Sequence, residues 1–402
     1  MIYNEIHKEI EKLSKEFAIN ILKPLSMEYD EREEFPTQLR SEYEKTGLFS
    51  VFYPTEYGGV SGGITGLCIA IEELSRIDGS LALLPATSAL GSIPLILYAN
   101  HQQRKELFYD LSSGKKIAAF ALTEPEAGSD ATAIKTTAKR EGDYYIINGM
   151  KHFCSSGGIS DVYVVFAKTA PQKCARGISC FYIDKNTEGF KIGKKEKKLG
   201  IRSNPTTEIY LDNVKVPVKN MIGQENLGIF ILQDTFEFSR PGVAAQAIGI
   251  AEGAFAMTVR YLKQRTQFGQ SIASFQAVSH KLADMATKLE AARRFLYSIT
   301  FEMDEVFIPA FENAVKNQTT VRDEIKKLSK KRWNKLSAMV KLFSSDIAFD
   351  ITQECITLCG GIGYIREFGL EKFMRDAKVT QIYEGANNIQ RNEIASSILK
   401  EY

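Results

Sequence analysis

The sequence predicts an α+β protein with three consecutive domains: helical at residues 1–120, β at 121–230 and helical again at 231–402. Two observations predict this order. Apolar residues recur at helical spacing in the first and last parts, and short β-branched and aromatic runs separated by turn residues fill the middle. A length of 402 residues agrees with two to three domains and is enough to bury a large core.

The N-terminal part shows apolar positions at helical steps from residue 6 to 22, and the runs 65–76 and from His101 onward also predict helices. The stretch 80–100 has no charge and is long enough to cross a bilayer. Its two prolines, its hydroxyls and its glycine instead favour a buried helix pair or helix–turn. The N-terminus does not resemble a signal or transit peptide. We therefore expect a cytoplasmic protein without membrane insertion.

The middle part predicts short strands at 144–148, 162–167 and 178–183, and a further pair at 208–211 and 214–216. Because no helix pattern lies between them, they predict an antiparallel sandwich or barrel. In the last part, residues 275–300 and 334–357 predict helices. The segment 304–332 between them is less regular, and the basic cluster at 326–335 is predicted to be a solvated helical face or a connection.

Composition excludes several classes of function. The 51 Lys and Arg residues nearly balance the 49 Asp and Glu residues, which argues against a protein that coats nucleic acid or anionic membrane. Four histidines without a close pair and six cysteines without a CxxC motif predict no metal site. The sequence has no GxGxxG after a strand, no GxxxxGK[ST] and no GxSxG. The missing motifs argue against a Rossmann dehydrogenase, a P-loop enzyme and an α/β-hydrolase.

Three segments carry candidate chemistry. FALTEPEAGSD at 120–130 could bind a polar ring edge or a phosphate, or could be an ordinary interdomain loop. Glu384, between an aromatic residue and a glycine, is a candidate desolvated base, or a glutamate at a helix N-terminus. QRTQFG at 264–269 could present Arg265 to a phosphate, or could be a loop between two helices.

Together these segments closely resemble the acyl-CoA dehydrogenase family. The resemblance also rests on INGMKHFCSSGG at 147–158, RTQFGQSIASFQAV at 265–278, CGGIGY at 359–364 and IYEGANNIQR at 382–391. It implies a helical domain, a β domain and a C-terminal four-helix bundle with bound FAD. It further implies α,β-dehydrogenation of an acyl-CoA to the trans-2-enoyl-CoA, electron transfer to electron-transferring flavoprotein, and a homotetramer.

The resemblance also assigns roles to residues. Glu384 matches the base that removes the α-proton. The positions that match cofactor-binding residues are Leu122, Thr123, Gly128, Ser129, Phe153, Cys154, Ser155, Arg265, Gln267, Phe268, Gln276, Thr357, Gly360, Gly361, Ala386 and Asn388. Of these, Arg265, Gln267 and Phe268 match residues that reach the FAD of a neighbouring subunit. The positions that match substrate-binding residues are Ser129, Glu237, Arg240, Ala86, Leu90, Tyr383 and Gly385.

Several positions depart from the family pattern. Glu237 stands where an aspartate is frequent, Thr357 replaces a glutamine, and Ala386 and Asn388 replace threonine and glutamine. Ala86 lies where some members have a glutamate at the pocket floor, so a medium, long or bulky acyl chain is expected.

Three alternatives stay open at this point. The first is enoyl-CoA reduction, or action on an acyl-carrier-protein thioester. The second is a flavin monooxygenase or oxidase, and the third is a non-catalytic binding or assembly module. One fold hosts several chemistries, so the site has to distinguish them.

Overall fold

The computed structural model describes residues 3–402, with helices at both ends of the chain and strands in the middle. The N-terminal helices are α1 (Glu5–Phe17), α2 (Lys23–Arg32), α3 (Gln38–Thr46), α4 (Gly63–Ser75), α5 (Leu83–Tyr98) and α6 (His101–Ser113). The central strands are β1 (Ala118–Ala121), β2 (Thr137–Glu141), β3 (Tyr144–Ser155), β4 (Val162–Lys168), β5 (Ile178–Asp184), β6 (Phe190–Lys195), β7 (Thr206–Pro217) and β8 (Met221–Ile222). The predicted α+β fold with its helical–β–helical order is confirmed.

The C-terminal part is helical apart from one short hairpin. Its elements are α7 (Gly228–Gln264), β9 (Thr266–Gln267), β10 (Gln270–Ser271), α8 (Gln276–Asn317), α9 (Val321–Leu328), α10 (Asn334–Cys359), α11 (Leu370–Thr380) and α12 (Asn387–Glu401). By length and composition α7 could cross a membrane, but 67% of its most apolar window is buried inside the protein. It packs against α10 and α4, as a core helix does.

The central strands form one sheet in the order β6-β7-β3-β2-β4-β5-β8, with β1 paired to β4. Most pairs are antiparallel as predicted, but β1 runs parallel to β4. β1 arrives directly from α6 and joins the two cores of the protein. Ala119 and Ala121 lie in the core of the sheet, whereas Ala118 lies in the helical core, because successive side chains point to opposite faces. The loop that follows β1 therefore begins at the junction of the domains.

The uncharged stretch at 80–100 forms a turn followed by the single helix α5, so of the two expected arrangements it is not the helix pair. Pro94 lies inside this helix, and nearly every residue of α5 is buried. α5 packs against α7 and β1. A side chain at Gly91 would clash, since its Cβ would lie 2.8 Å from the Ala119 nitrogen. This glycine lets the helix approach the strand, and packing on both sides stabilises a helix that its local sequence would interrupt.

The segment 304–332, whose sequence looks less regular, is largely helical. α8 continues through Pro309 to Asn317, and α9 follows. The Asp304 carboxylate accepts hydrogen bonds from the Ile64 and Thr65 backbone N–H groups at 2.7 and 2.8 Å, at the beginning of α4. Arg104 donates to the Thr319 carbonyl at 2.7 Å, beyond the end of α8. These contacts lie more than 200 residues apart in sequence, so local periodicity could not reveal them.

Candidate active site

A largely apolar cavity lies between α4, α5 and α7, and Glu384 forms part of its wall. The cavity holds about 460 Å³ of space that no protein atom fills, counted with its open mouth. Its apolar wall includes Leu67, Ile71, Leu83, Ala86, Leu90 and Ile93. Its polar side chains include Thr87, Ser155, Ser239, Gln246 and Tyr383, and Glu384 is the only charged residue in its lining among residues 3–402. A pocket with an apolar wall and a few polar groups fits a largely apolar ligand.

Glu384 lies in the turn between α11 and α12, in a backbone conformation that is rare for its residue type. Its φ is +50°, and Gly385 follows with φ +90°. For a residue with a Cβ atom the left-handed region costs about 1–2 kcal/mol, so the surroundings must hold this turn. The Gln390 amide donates to the Gly385 carbonyl at 2.7 Å and to the Glu384 carbonyl at 3.2 Å. The turn is therefore fixed by the first turn of α12.

The environment of Glu384 favours its action as a base. Burial raises the pKa of the Glu384 carboxyl, and this effect exceeds the opposing effects of the Ser239 hydrogen bond and of the Arg240 and Lys341 charges. The Ser239 hydroxyl donates to Glu384 Oε2. A carboxylate whose pKa is raised by desolvation accepts a proton more readily than one in water.

The loop after β1 is anchored by a buried ion pair. The Lys151 ammonium lies 2.7 Å from Glu124 Oε1 and donates to the Leu122 carbonyl at 3.1 Å. The Glu124 carboxylate also accepts from the Thr136 hydroxyl at 2.6 Å. His152 donates its backbone N–H to the Thr123 carbonyl at 2.7 Å. Leu122 and Thr123 are thus held against β3, while Gly128 and Ser129 are exposed farther along the loop.

The end of β3 presents alternate side chains to the outside. Phe153 has φ +54° at an irregularity in the pairing with β7, and its ring is 57% exposed. Ser155 lines the acyl cavity. The Cys154 thiol faces the core of the sheet, 3.5 Å from the Phe120 carbonyl. By strand alternation the backbone of Cys154, and not its thiol, is left to contact a cofactor, and its role in FAD binding stays a prediction.

A second group of predicted cofactor residues belongs to the C-terminal part of the chain and does not line the cavity. Arg265, Gln267 and Phe268 belong to the exposed β9–β10 hairpin and its approach, and Phe268 is 93% exposed. Thr357 lines an open polar cleft between α8 and α10. The other predicted members of this group are Gln276 at the start of α8, Gly360 and Gly361 after α10, and Ala386 and Asn388 at the start of α12.

The two α7 residues that were predicted to bind substrate have other partners. Glu237 is buried, accepts from Arg332 Nε at 2.9 Å, and also accepts the Trp333 backbone N–H. The segment between α9 and α10 therefore supplies hydrogen-bond donors to this carboxylate, and its role in substrate binding stays a prediction. Arg240 is buried as well and donates to Asn334 Oδ1 and Glu393 Oε2, both at 3.0 Å. Its charge faces Glu384.

Other residues of the site were not recognised from the sequence as contacts. Ser239 bonds the base, and Gln246 accepts a hydrogen bond from the buried Tyr383 hydroxyl while donating to the Gly79 carbonyl at 2.8 Å. The sequence feature that could have indicated these two residues is their position on α7. Ser239 precedes Arg240, and Gln246 lies two helical turns farther on the cavity side.

One cluster has side chains typical of metal ligands, although no metal site was predicted. Candidate ligand atoms of His152, Glu196 and Glu208 lie within 4.8 Å of one another on neighbouring strands. The Lys194 ammonium bonds Glu196 Oε2 at 2.9 Å, and the His152 ring lies 3.3 Å from Glu196 Oε1. These contacts form a polar network at the edge of the sheet.

Comparison with known proteins identifies the family. Three family models match consecutive parts of the chain: the acyl-CoA dehydrogenase N-terminal domain at 4–115, the middle domain at 119–214 and the C-terminal domain at 226–399. The probable acyl-CoA dehydrogenase FadE25 of Mycobacterium tuberculosis is 40% identical over 396 residues, covering 98% of this chain and 96% of that protein. The chain belongs to the acyl-CoA dehydrogenase family.

Two further matches within this family span the whole chain. The caffeyl-CoA reductase-Etf complex subunit CarC of Acetobacterium woodii is 37% identical over 403 residues, and each chain is covered completely. The structure of butyryl-CoA dehydrogenase from Megasphaera elsdenii is 35% identical with a TM-score of 0.91, covering 99% of this chain and 100% of that one. As an acyl-CoA dehydrogenase family member, the protein is an oxidoreductase, which confirms the prediction.

FAD is the cofactor of this acyl-CoA dehydrogenase family member, as predicted, and its residues fit that group. A Cβ atom added at Gly128, Gly360 or Gly361 would meet no atom within 4 Å, so the backbone is open to a ligand at all three positions. Open backbone N–H groups suit a diphosphate, and the exposed ring of Phe153 suits the face of an isoalloxazine. Arg265 has no carboxylate partner among residues 3–402 and can bind a phosphate.

Proposed function

We propose that this protein dehydrogenates an acyl-CoA thioester at its α,β-bond to give the trans-2-enoyl-CoA. The observation that carries the proposal is the Glu384 carboxylate in the wall of an apolar cavity, hydrogen-bonded by Ser239, with Ser155 from the predicted flavin-binding strand in the same wall. This arrangement brings a base, an acyl pocket and the strand next to the cofactor together. It argues against a non-catalytic module, since such a module needs no desolvated base.

The residues of this chain supply the acid–base part of the reaction. The Glu384 carboxylate removes the α-proton, and the raised pKa of that carboxyl favours the transfer. The Glu384 backbone N–H has no acceptor among residues 3–402 and is free to bind the thioester oxygen, where negative charge develops. Bound FAD supplies the redox chemistry by accepting the β-hydrogen as hydride. The apolar wall of the cavity excludes water around the reacting carbons.

The lining of the cavity supports an uncharged acyl group. Glu384 is the only charged residue there, so a second carboxylate on the acyl chain would be buried without a cation to pair with it. The small side chain of Ala86 leaves room for a medium, long or bulky chain. We therefore propose neutral acyl-CoA substrates.

The reductive direction is a second candidate, favoured by the full-length similarity to a caffeyl-CoA reductase subunit. The same residues serve both directions, because a protonated Glu384 returns the α-proton that the carboxylate removes. The raised pKa of Glu384 supports this use, since the carboxyl keeps its proton to higher pH than a free glutamate.

A panel of thioesters tests the proposed function. We expect saturated neutral acyl-CoAs to bleach the flavin anaerobically and a dicarboxylic acyl-CoA to fail. A chemically reduced sample mixed with enoyl-CoAs measures the reverse reaction. Thioesters on acyl carrier protein test the carrier, and oxygen uptake without another acceptor tests an oxidase. If no thioester changes the flavin spectrum in either direction, the proposed function is wrong.

Electron-transferring flavoprotein is the proposed electron acceptor, supported by the similarity to a subunit of an Etf complex. We also propose a homotetramer in which the β9–β10 hairpin reaches the FAD of a neighbouring subunit. The exposed ring of Phe268 and the unpaired Arg265 support this role, because neither contributes to the core of its own chain.

Arg265→Ala is expected to weaken FAD retention about tenfold or more, because one charge-assisted contact to a phosphate is lost. The measurement is the FAD content after dialysis, compared with the wild type. Arg294→Ala is the matched control, since Arg294 is an exposed arginine on α8 that pairs with Glu290. Equal FAD content in the Arg265 and Arg294 variants would contradict the role of Arg265.

A further inference from the structure

Lys341 is a fully buried lysine that the proposed reaction has not used. It lies on α10, and its side chain reaches the turn that carries Glu384. Its ammonium donates to the Gly385 carbonyl at 3.0 Å and to Asn387 Oδ1 at 2.8 Å. A lysine is almost never buried completely unless its ammonium has partners, so these contacts are the reason it can lie there.

The contacts of Lys341 converge with those of Gln390 on one peptide group. Both side chains donate to the Gly385 carbonyl, Lys341 from α10 and Gln390 from α12. The Asn387 amide that Lys341 contacts also donates to Asp346 Oδ1 at 2.7 Å, which links the turn to α10 a second time. Because Glu384 and Gly385 both have left-handed backbone conformations, these bonds fix the direction in which the Glu384 side chain leaves the turn.

Charged groups face Glu384 from several elements. Arg240 on α7 and Lys341 on α10 are the cations whose charges act on its carboxylate. Asp346 on α10 acts on Lys341, Asp376 on α11 acts on Tyr383, and Glu393 on α12 is bonded to Arg240. Arg240 is therefore already paired with a carboxylate, whereas the partners that Lys341 bonds are a carbonyl and an amide oxygen.

Burial lowers the pKa of Lys341 to about 7, although the neighbouring Glu384 charge opposes the shift. Below about pH 7 the ammonium therefore keeps its proton and its charge. A positive charge close to a carboxylate favours the ionised form of that carboxylate.

Resting on the proposed function, we propose that Lys341 is a positioning residue for the base. It holds the Gly385 peptide and the Asn387 side chain so that the Glu384 carboxylate stays directed into the acyl cavity, and its charge stabilises the ionised carboxylate. The two effects are separable, because Gln390 holds the same carbonyl without a charge.

Three variants separate charge from geometry. Lys341→Gln removes the charge and keeps a donor, Lys341→Arg keeps the charge, and Gln390→Met removes a neutral donor to the same carbonyl. The rate of anaerobic flavin reduction is measured across pH at saturating acyl-CoA, together with KM. FAD content and the flavin spectrum establish that each variant is loaded.

We expect Lys341→Gln to move the acid limb of the rate profile upward by about one pH unit or more, since the Glu384 carboxylate loses a stabilising charge. On the acid limb the rate at a given pH should fall about tenfold as a consequence, with KM changed less than about threefold. Lys341→Arg should keep the limb in its wild-type position. Gln390→Met should lower the rate at all pH values without moving the limb.

The proposal is overturned if Lys341→Gln moves the limb no farther than Gln390→Met does. If Lys341→Gln does not retain FAD, Lys341→Arg tests the proposal instead. An acid limb displaced by about one pH unit in Lys341→Arg, which keeps the charge, refutes the role of the charge. Failure of the proposed function has a different signature, because the wild-type flavin would then not be reduced by any thioester.

Discussion

Replacing Glu384 by glutamine is expected to reduce the rate of flavin reduction by acyl-CoA about 10²–10⁴-fold, the range typical for loss of a general base. The amide has the shape of the carboxyl group and can still accept the Ser239 hydrogen bond, so the cavity should keep its form. An amide does not accept the α-proton, and the reaction stops at its first bond cleavage. Anaerobic stopped-flow measurement of flavin bleaching gives the rate directly.

The matched control for this variant is Glu401→Gln, since Glu401 is an exposed glutamate on α12 that pairs with Lys335. It should reduce its flavin at the wild-type rate. Both variants should contain as much FAD as the wild type, because no cofactor contact is assigned to either carboxylate. Flavin reduction by Glu384→Gln at the wild-type rate would refute the assignment of the base.

The pH dependence of the wild type follows from the same carboxyl group. Burial raises the pKa of Glu384, so the base is protonated at pH values where a free glutamate is ionised. The rate of dehydrogenation should therefore fall as the pH falls through this raised pKa. Reduction of an enoyl thioester needs the protonated form and should lose rate as the pH rises through the same value.

Local patterns were sufficient to predict the order of the domains and most elements. Helical spacing and short strands depend on residues within a few positions of one another, as in the apolar steps of α7 and the run that forms β4. The predicted course of a helix was wrong where contacts between residues far apart in the sequence stabilise that helix. A helix was predicted at 275–300 with a less regular segment after it, but Asp304 and Arg104 bind α8 to the N-terminal helices and the helix continues through Pro309. The same holds for α5, whose Pro94 is tolerated because α5 is buried on both sides.

In the candidate site, too, local motifs indicated some residues, whereas contacts between distant residues were visible only in the structure. Motifs led to Glu384, Ser155 and Ala86, which the structure brings together around one cavity. Glu237 carries the right charge on the right helix, but the segment 332–333 occupies it, and no motif indicated this contact. Lys341 is 44 residues from the carbonyl it holds, on a helix whose pattern predicts nothing but a core face. Partners of this kind are a property of the folded chain and are not encoded in any one motif.

Breaking the buried pair of Lys151 and Glu124 should have a large effect on stability. Neither side chain has appreciable exposure, and Glu124 also accepts two hydrogen bonds from Thr136. Burial lowers the pKa of Lys151 to about 8 despite the Glu124 charge. Lys151→Met should cost about 3–5 kcal/mol of unfolding free energy, because it leaves the Glu124 charge buried without its cation. The midpoint of chemical denaturation and the Tm measure this loss.

The same substitution should release FAD. Lys151 also holds the Leu122 carbonyl at 3.1 Å, so its removal loosens the loop that presents Gly128 and Ser129 to the cofactor. Lys185→Met is the matched control in the same domain. Lys185 pairs with Asp161 at 2.7 Å, but its side chain is 36% exposed, so its loss should cost less than about 1 kcal/mol and leave the FAD content unchanged.

The double variant Lys151→Met with Glu124→Gln identifies the cause of the loss. If the cost comes from an uncompensated buried charge, neutralising Glu124 should restore part of the stability that Lys151→Met removes. FAD retention should recover less, because the Leu122 carbonyl still lacks its donor. If the double variant is as unstable as the sum of the two single variants, the cost comes from lost packing and hydrogen bonds, and the account of Lys151 as a charge partner is wrong. In this loop we expect the Lys151–Glu124 ion pair to determine the stability of the protein. We expect the hydrogen bond from Lys151 to the Leu122 carbonyl to contribute to FAD binding.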